Sequence, residues 1–242
     1  QLGADRSFQK RSSYLPKTTL QGANKNGRAD ISQETSTTYL MELTAQYSKS
    51  FGDHNLKAIG GYSFQKFKND GFSAGNSDFL VDGFGYNSLG SGNYKKPSVS
   101  SWASINSIAS LFARANYSYK GKYLFNGSFR RDGSSAFSYT GNQWQNFYSA
   151  GAGWLMTEEE FMKDISWIQN LKLRASYGET GSQAITAYQS LASFSTTSYV
   201  LNGSSAVALV PGRVPNPDLK WETTKQTDIG IDLSVLGGRI SL

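Results

Sequence analysis

Between Leu219 and Leu233 the chain alternates with a period of two. Leu219, Trp221, Thr223, Ile229, Ile231 and Leu233 share one parity, while Lys220, Glu222, Thr224, Gln226, Asp228 and Asp232 share the other. Successive side chains of a β-strand point to opposite faces, so this pattern fits a strand with one apolar and one polar face, and fits no helix. The same reading holds for Thr35–Ser48, where Tyr39, Met41, Leu43, Ala45 and Tyr47 oppose Glu42, Thr44, Gln46 and Ser48. It holds for Leu56–Gln65, and for Leu111–Tyr119 joined by Lys120-Gly121-Lys122 to Tyr123–Arg130. Phe147–Met156, Leu171–Tyr177 and a last strand begun after Leu236-Gly237-Gly238-Arg239 bring the expectation to about eight strands. The fold class is therefore all-β and antiparallel.

The connections decide what kind of all-β protein this is. Residues 49–54, 120–122, 157–168 and 236–238 are short or compact, whereas 69–106, 134–145 and 181–217 are long and rich in Gly, Ser and Asn. Short turns on one rim and long loops on the other describe a transmembrane β-barrel, with short periplasmic turns and long extracellular loops. Several strands reach the roughly 9–11 residues needed to cross a bilayer when tilted. Tyr47, Phe51, Tyr117, Tyr119, Tyr123, Trp154 and Trp167 lie near strand ends, where an interfacial girdle would place them. No run of 18 apolar residues exists, so no transmembrane helix is expected. The first 34 residues show no strand pattern and read as loop-like, leaving strands and loops in 35–242. The competing architecture is a soluble, secreted β-module for carbohydrate binding or adhesion, which also needs one apolar face.

Catalytic material is sparse. The chain has no cysteine, which removes disulfide scaffolds and thiolate metal sites, and its one histidine, His54, sits in an expected turn between Asp53 and Asn55. Thr157 and Glu160 fit a capping box, which makes Glu158, Glu159 and Glu160 the acidic first turn of a short helix and not a metal site. The net charge of +6 comes from scattered residues, with only Arg130-Arg131 and Lys95-Lys96 paired, so no nucleic-acid footprint is expected. No cofactor, metal site or enzymatic activity is expected.

Four stretches, in order, carry a resemblance. They are Arg114–Tyr123 leading to Phe129-Arg130-Arg131-Asp132-Gly133-Ser134-Ser135; Ala150–Trp154 with Glu159–Met162; Leu171–Gly178 with Thr180–Gln183; and Asn216–Thr224 with Gly230-Ile231-Asp232. Together they resemble the SusC/RagA family of TonB-linked outer-membrane receptors. Phe147-Tyr148-Ser149 and Ser182 depart from the family pattern without disturbing a strand. The resemblance implies part of a plugged barrel of about 22 strands in the bacterial outer membrane. It also implies import of oligosaccharides or peptides, energy supplied through TonB, and a SusD-like surface lipoprotein as lid. On this view the 242 residues are one stretch of barrel wall, without the plug domain and without the TonB-binding segment.

Substrate contact would fall to aromatic side chains on long loops and to polar side chains facing the lumen, because sugars and peptides need stacking surfaces and hydrogen-bonding groups. The loop candidates are Phe84, Tyr86, Trp102, Trp144 and Tyr199, and the lumen candidates are Arg114, Arg130, Arg174, Glu222 and Asp228.

Overall fold

A computed structural model describes residues 1–95 and 97–242; Lys96 of the Lys95-Lys96 pair lies outside the described residues. The strands, in chain order, are β1 (Leu2–Leu15), β2 (Arg28–Phe51), β3 (His54–Ser77), β4 (Ser98–Tyr119), β5 (Tyr123–Ser134), β6 (Trp144–Leu155), β7 (Ile168–Ser182), β8 (Ser193–Leu201), β9 (Ser204–Arg213), β10 (Glu222–Val235) and β11 (Ile240–Ser241). Among the described residues nine of them form one sheet in the order β1-β2-β3-β4-β5-β6-β7-β10-β11, and β8 and β9 pair separately. Neighbours in the chain are neighbours in the sheet up to β7, which is the meander expected of a barrel wall. The chain divides into two compact units, Gln1 with Met41–Phe64 and Ser107–Leu242, and Leu2–Leu40 with Gln65–Asn106.

Three expectations are corrected. The loop-like reading of residues 1–34 fails, because β1 occupies most of the first half of that segment and β2 already begins at Arg28. Strand β1 reads LGADRSFQKRSSYL, where Arg6, Lys10 and Ser12 interrupt the parity of Leu2, Ala4, Phe8 and Tyr14, so only a weak alternation marks it. The connection at 69–106 shrinks, because β3 continues to Ser77 and β4 starts at Ser98. Strands β2 and β3 have 24 residues each, about 80 Å of extended chain and more than twice what crosses a bilayer. The connection at 181–217 contains the β8–β9 hairpin, closed by Asn202-Gly203 with φ of 49° and 77°. Positive φ at both central residues matches the right-handed strand twist, as it does at Lys120-Gly121 (52° and 70°) between β4 and β5.

In the larger unit the register sorts the side chains. Residues directly opposite in antiparallel strands share a face. Tyr119, Tyr123, Trp154, Leu173 and Ile231 thus lie in one row across β4, β5, β6, β7 and β10. The next row holds Tyr117, Phe125, Ala152, Ala175 and Ile229, and the one above it Ala115, Gly127, Ala150, Tyr177 and Thr227. This is an apolar face with nothing packed on it: Ile229 is 84% exposed and Ile231 61%. Its first row is aromatic, with Tyr119 and Tyr123 stacked at 6.2 Å and Tyr123 and Trp154 at 6.4 Å between ring centroids. The interfacial band is therefore present at the short-turn rim, with Tyr117 one row above it.

Buried apolar side chains lie almost entirely away from this face. At the long-loop end Phe137, Phe147 and Trp221 form a cluster, with Ile185 and Leu219 packed against it. The Trp221 indole donates to the Gln143 carbonyl at 3.0 Å, and Asn142 donates to the Leu219 carbonyl at 3.2 Å. Ser190 and Ser134 tie the same segments together through the Ala136 carbonyl and the Gln183 side chain. Strand β10 begins only at Glu222, so Leu219 and Trp221, expected on its apolar face, belong to the loop cluster instead.

In the smaller unit Ala29 and Phe79 are buried, and the Tyr14 ring meets Phe79 edge-on at 5.6 Å. The β1–β2 connection carries a four-residue helix, Leu20–Ala23, whose N-cap Thr19 accepts from the Gly22 amide.

Candidate functional site

The face opposite the apolar rows is polar through most of its height, and it gathers all five charged candidates. Arg114 lies opposite Ser128, Arg130 opposite Phe112 and Phe147, and Arg174 opposite Gly153 and Gly230. Asp228 stands opposite Ser176 and Glu222 opposite Ser182. The five differ in freedom. Arg130 is fixed by Asp132, at 2.7 and 2.8 Å, and by Ser110 at 2.9 Å. Arg174 donates to Asp232 at 3.1 Å, and Lys172 approaches the same carboxylate at 3.7 Å. Asp228 accepts from Gln226 at 3.1 Å. The Arg114 and Glu222 side chains form no hydrogen bond or ion pair among the described residues, which leaves their groups available to a ligand.

Backbone approach shapes this face. Arg174 lies across Gly230, where a Cβ would stand 2.7 Å from the guanidinium carbon. Gly151 and Gly153 bare the backbone of β6 in the same area, leaving a hollow of about 250 Å³ edged by Asn126, Lys172, Arg174, Ser176 and Asp228. Asn126, Lys172 and Ser176 were not singled out from the sequence. Their shared parity was legible there; the register that brings four strands together was not.

The loop aromatics do not converge in the same way. Phe84 and Tyr86 share the β3–β4 connection, Tyr86 within the 3-10 turn Gly85–Asn87, and Trp102 on β4 spreads its ring over Gly71 of β3; all three belong to the smaller unit. In the larger unit Tyr199 stands on β8 opposite Ala206, and Trp144 lies opposite Gly133 on the apolar side of β6, with Arg131 5.5 Å from its ring centre. The smaller unit also holds a polar hollow of about 150 Å³ between Lys25, Arg28, Asp30, Asn76 and Tyr94, where Arg28 and Asp30 pair at 2.8 Å.

At the short-turn rim the expected capped helix is replaced by two 3-10 turns, Met156–Glu158 and Glu160–Met162. The acidic residue that matters is Glu159. It accepts from Lys122, from the Tyr123 hydroxyl at 2.6 Å and from the Trp154 indole at 3.0 Å. These donors hold its carboxyl well below the usual range, at about 2, and Glu159 in turn raises the Lys122 ammonium. Glu160 pairs outward with Lys163 and caps nothing. Glu159 therefore fastens the β6–β7 turn to the polar tips of the aromatic band. His54 is similarly absorbed, stacked on Phe51 at 5.1 Å and bonded through Nδ1 to the Tyr117 hydroxyl at 2.6 Å.

With one apolar face, one polar face, an aromatic rim and alternating turn lengths, the class is an outer-membrane β-barrel wall. The chain belongs to the TonB-dependent receptor-like β-barrel family, whose model matches residues 1–242. It is 39% identical over 229 residues to TonB-dependent receptor P3 of Formosa agariphila, covering 95% of this chain and 23% of that protein. It is 34% identical over 210 residues to TonB-dependent receptor SusC of Bacteroides thetaiotaomicron, covering 82% of this chain and 20% of that protein. The structure of the RagAB peptide importer in its closed-closed state superposes with a TM-score of 0.85 at 25% identity, over 99% of this chain and 26% of that one. The chain thus spans about a quarter of the length of its relatives. It is SusC/RagA-type barrel wall of the bacterial outer membrane, and the soluble-module reading is set aside.

Proposed function

We propose that this chain is wall of a TonB-dependent importer that carries oligosaccharides or peptides through the outer membrane, with a SusD-like surface lipoprotein as lid. One observation carries the reading: the register puts Arg114, Arg130, Arg174, Glu222 and Asp228 together on the face turned away from the apolar rows. Lipid takes the apolar side, so the polar side faces the lumen. Arg114 and Glu222 contact the substrate directly, and Arg130 and Arg174, held by Asp132 and Asp232, form a rigid charged lining. Phe84, Tyr86 and Trp102 in the smaller unit and Tyr199 in the larger each offer a stacking surface, whereas Trp144, on the apolar side, is an interfacial anchor.

The test is deletion of the gene for the full-length receptor in its source bacterium, followed by growth on single oligosaccharides or on peptides. Loss of growth on one of these classes, restored by the wild-type gene and restored poorly by a gene carrying Arg114→Ala and Glu222→Ala, supports the reading. Unchanged growth on every source overturns it. Pull-down of the tagged receptor tests the lid, which requires a surface lipoprotein in stoichiometric amount.

A further inference from the structure

The apolar face is not uniformly bulky. Within the larger unit a groove of about 770 Å³ is floored by Ala58, Gly60, Ala113, Ala115, Gly127 and Ala150. Phe129 and Tyr148, whose rings meet at 5.3 Å, wall it toward the long loops. The lining runs from Ala45 on β2 to Tyr177 on β7. Six neighbouring strands at about 4.8 Å spacing make it about 24 Å wide, room for several hydrocarbon chains side by side. Gly127 and Ala150 lie four residues along β5 and β6 from Tyr123 and Trp154, about 13 Å from the aromatic rim. Phe129 and Tyr148 lie about 20 Å from it along the strands; at a tilt of about 40° these become about 10 and 15 Å of height, so the groove straddles the middle of an apolar band about 25 Å tall and opens toward the long loops.

Charge marks its outer edge. Arg131, opposite Asn146 and one row beyond Phe129, points to the apolar side, leans on Trp144 and forms no ion pair among the described residues. Lys225 stands on the same side, opposite Glu179 and paired with it at 3.3 Å. A guanidinium that has no ion-pair partner among the described residues, one row beyond a wide hydrocarbon-lined trough, matches a phosphorylated head group above several acyl chains. A void in a lipid-facing wall forfeits dispersion contacts that fitted chains restore. We propose that this groove is a specific seat for an outer-leaflet glycolipid of the lipid A type, its chains over the Ala/Gly floor and its phosphate on Arg131.

The full-length receptor in detergent, titrated with lipid A and followed by native mass spectrometry, tests this. Gly127→Leu with Ala150→Leu fills the floor, and Arg131→Gln removes the free cation. Both act on the lipid side, and heat-modifiable gel mobility checks that the barrel has folded. Folded wild-type receptor is expected to retain lipid A about tenfold better than either folded variant. Equal retention by all three overturns the proposal. Retention of phosphatidylglycerol as strong as that of lipid A overturns the glycolipid assignment. A floor-filled variant that turns from dimer to monomer, with lipid retention unchanged, assigns the groove to a second copy of the chain and also overturns it.

Discussion

In the wall between Tyr123 and Phe129 the apolar side chains point away from the protein, and Phe125, Ile229 and Ile231 meet no protein core. In the loop cluster Phe137, Phe147 and Trp221 point at one another, and Trp221 is 8% exposed. The two regions use the same residue types under opposite solvents. The wall is held by backbone ladders and relies on lipid to cover its apolar face. The loops stand in water and must make their own core, so their aromatic side chains close over each other and their polar groups pair with backbone carbonyls.

That contrast can be broken by substitution. Trp221→Ala should cost about 3–5 kcal/mol in the loop cluster, seen as earlier protease cutting within residues 183–221 of the full-length receptor while the heat-modifiable barrel persists. A protease pattern unchanged by this substitution would show that the cluster does not hold the loops. Ile229→Arg places a charge in the apolar band one row above the aromatic rim, and should cost about 2 kcal/mol or less at that depth. Chemical unfolding in lipid vesicles measures it, and an equal cost in water-filled and lipid-filled settings would mean that the face does not meet lipid. Ile229→Ala removes only lipid contact and should change the same unfolding free energy by about 1 kcal/mol or less.

The short-turn rim gives a pH test between these extremes. Glu159 drops from about 4.5 to about 2 on folding. Its contribution is therefore complete above pH 4.5 and is lost as the pH falls from there through 2. Trp154, which donates to Glu159, reports the event by fluorescence in the folded receptor. The folded-state signal should change as the pH falls through about 2, and Glu159→Gln should remove that change. A titration that persists in the variant would assign it to another group.

Much of the wall was legible beforehand because a strand between lipid and lumen must alternate. The apolar parity of Tyr117, Phe125 and Ile229, the Lys120-Gly121 turn and the aromatic rim all follow from parity and spacing. Strand β1 was missed because Arg6, Lys10 and Ser12 break up its one partly apolar face. Glu159 was missed because Thr157 and Glu160 offered a plausible helical cap, while the donors that claim Glu159 come from residues up to 37 positions away. Trp144 was assigned to substrate from its expected place in a loop, and the register with Gly133 turned it to the apolar side.

By itself the sequence determined that most of the chain forms strands, that each strand of the clear alternating kind has two unlike faces, and which charged residues share the polar one. These are consequences of a two-residue period and of local turn chemistry, both readable along the chain. The tertiary structure alone decided the register between strands. It placed Asn126, Lys172, Ser176 and Asp228 around one hollow, set six small residues side by side into one groove, and carried Trp221 out of β10 into a core with Phe137. A tight turn sets the register of the hairpin it closes, but strands joined by long connections, such as β7 and β10, meet through hydrogen bonds between residues distant in sequence, which no pattern within a single strand encodes.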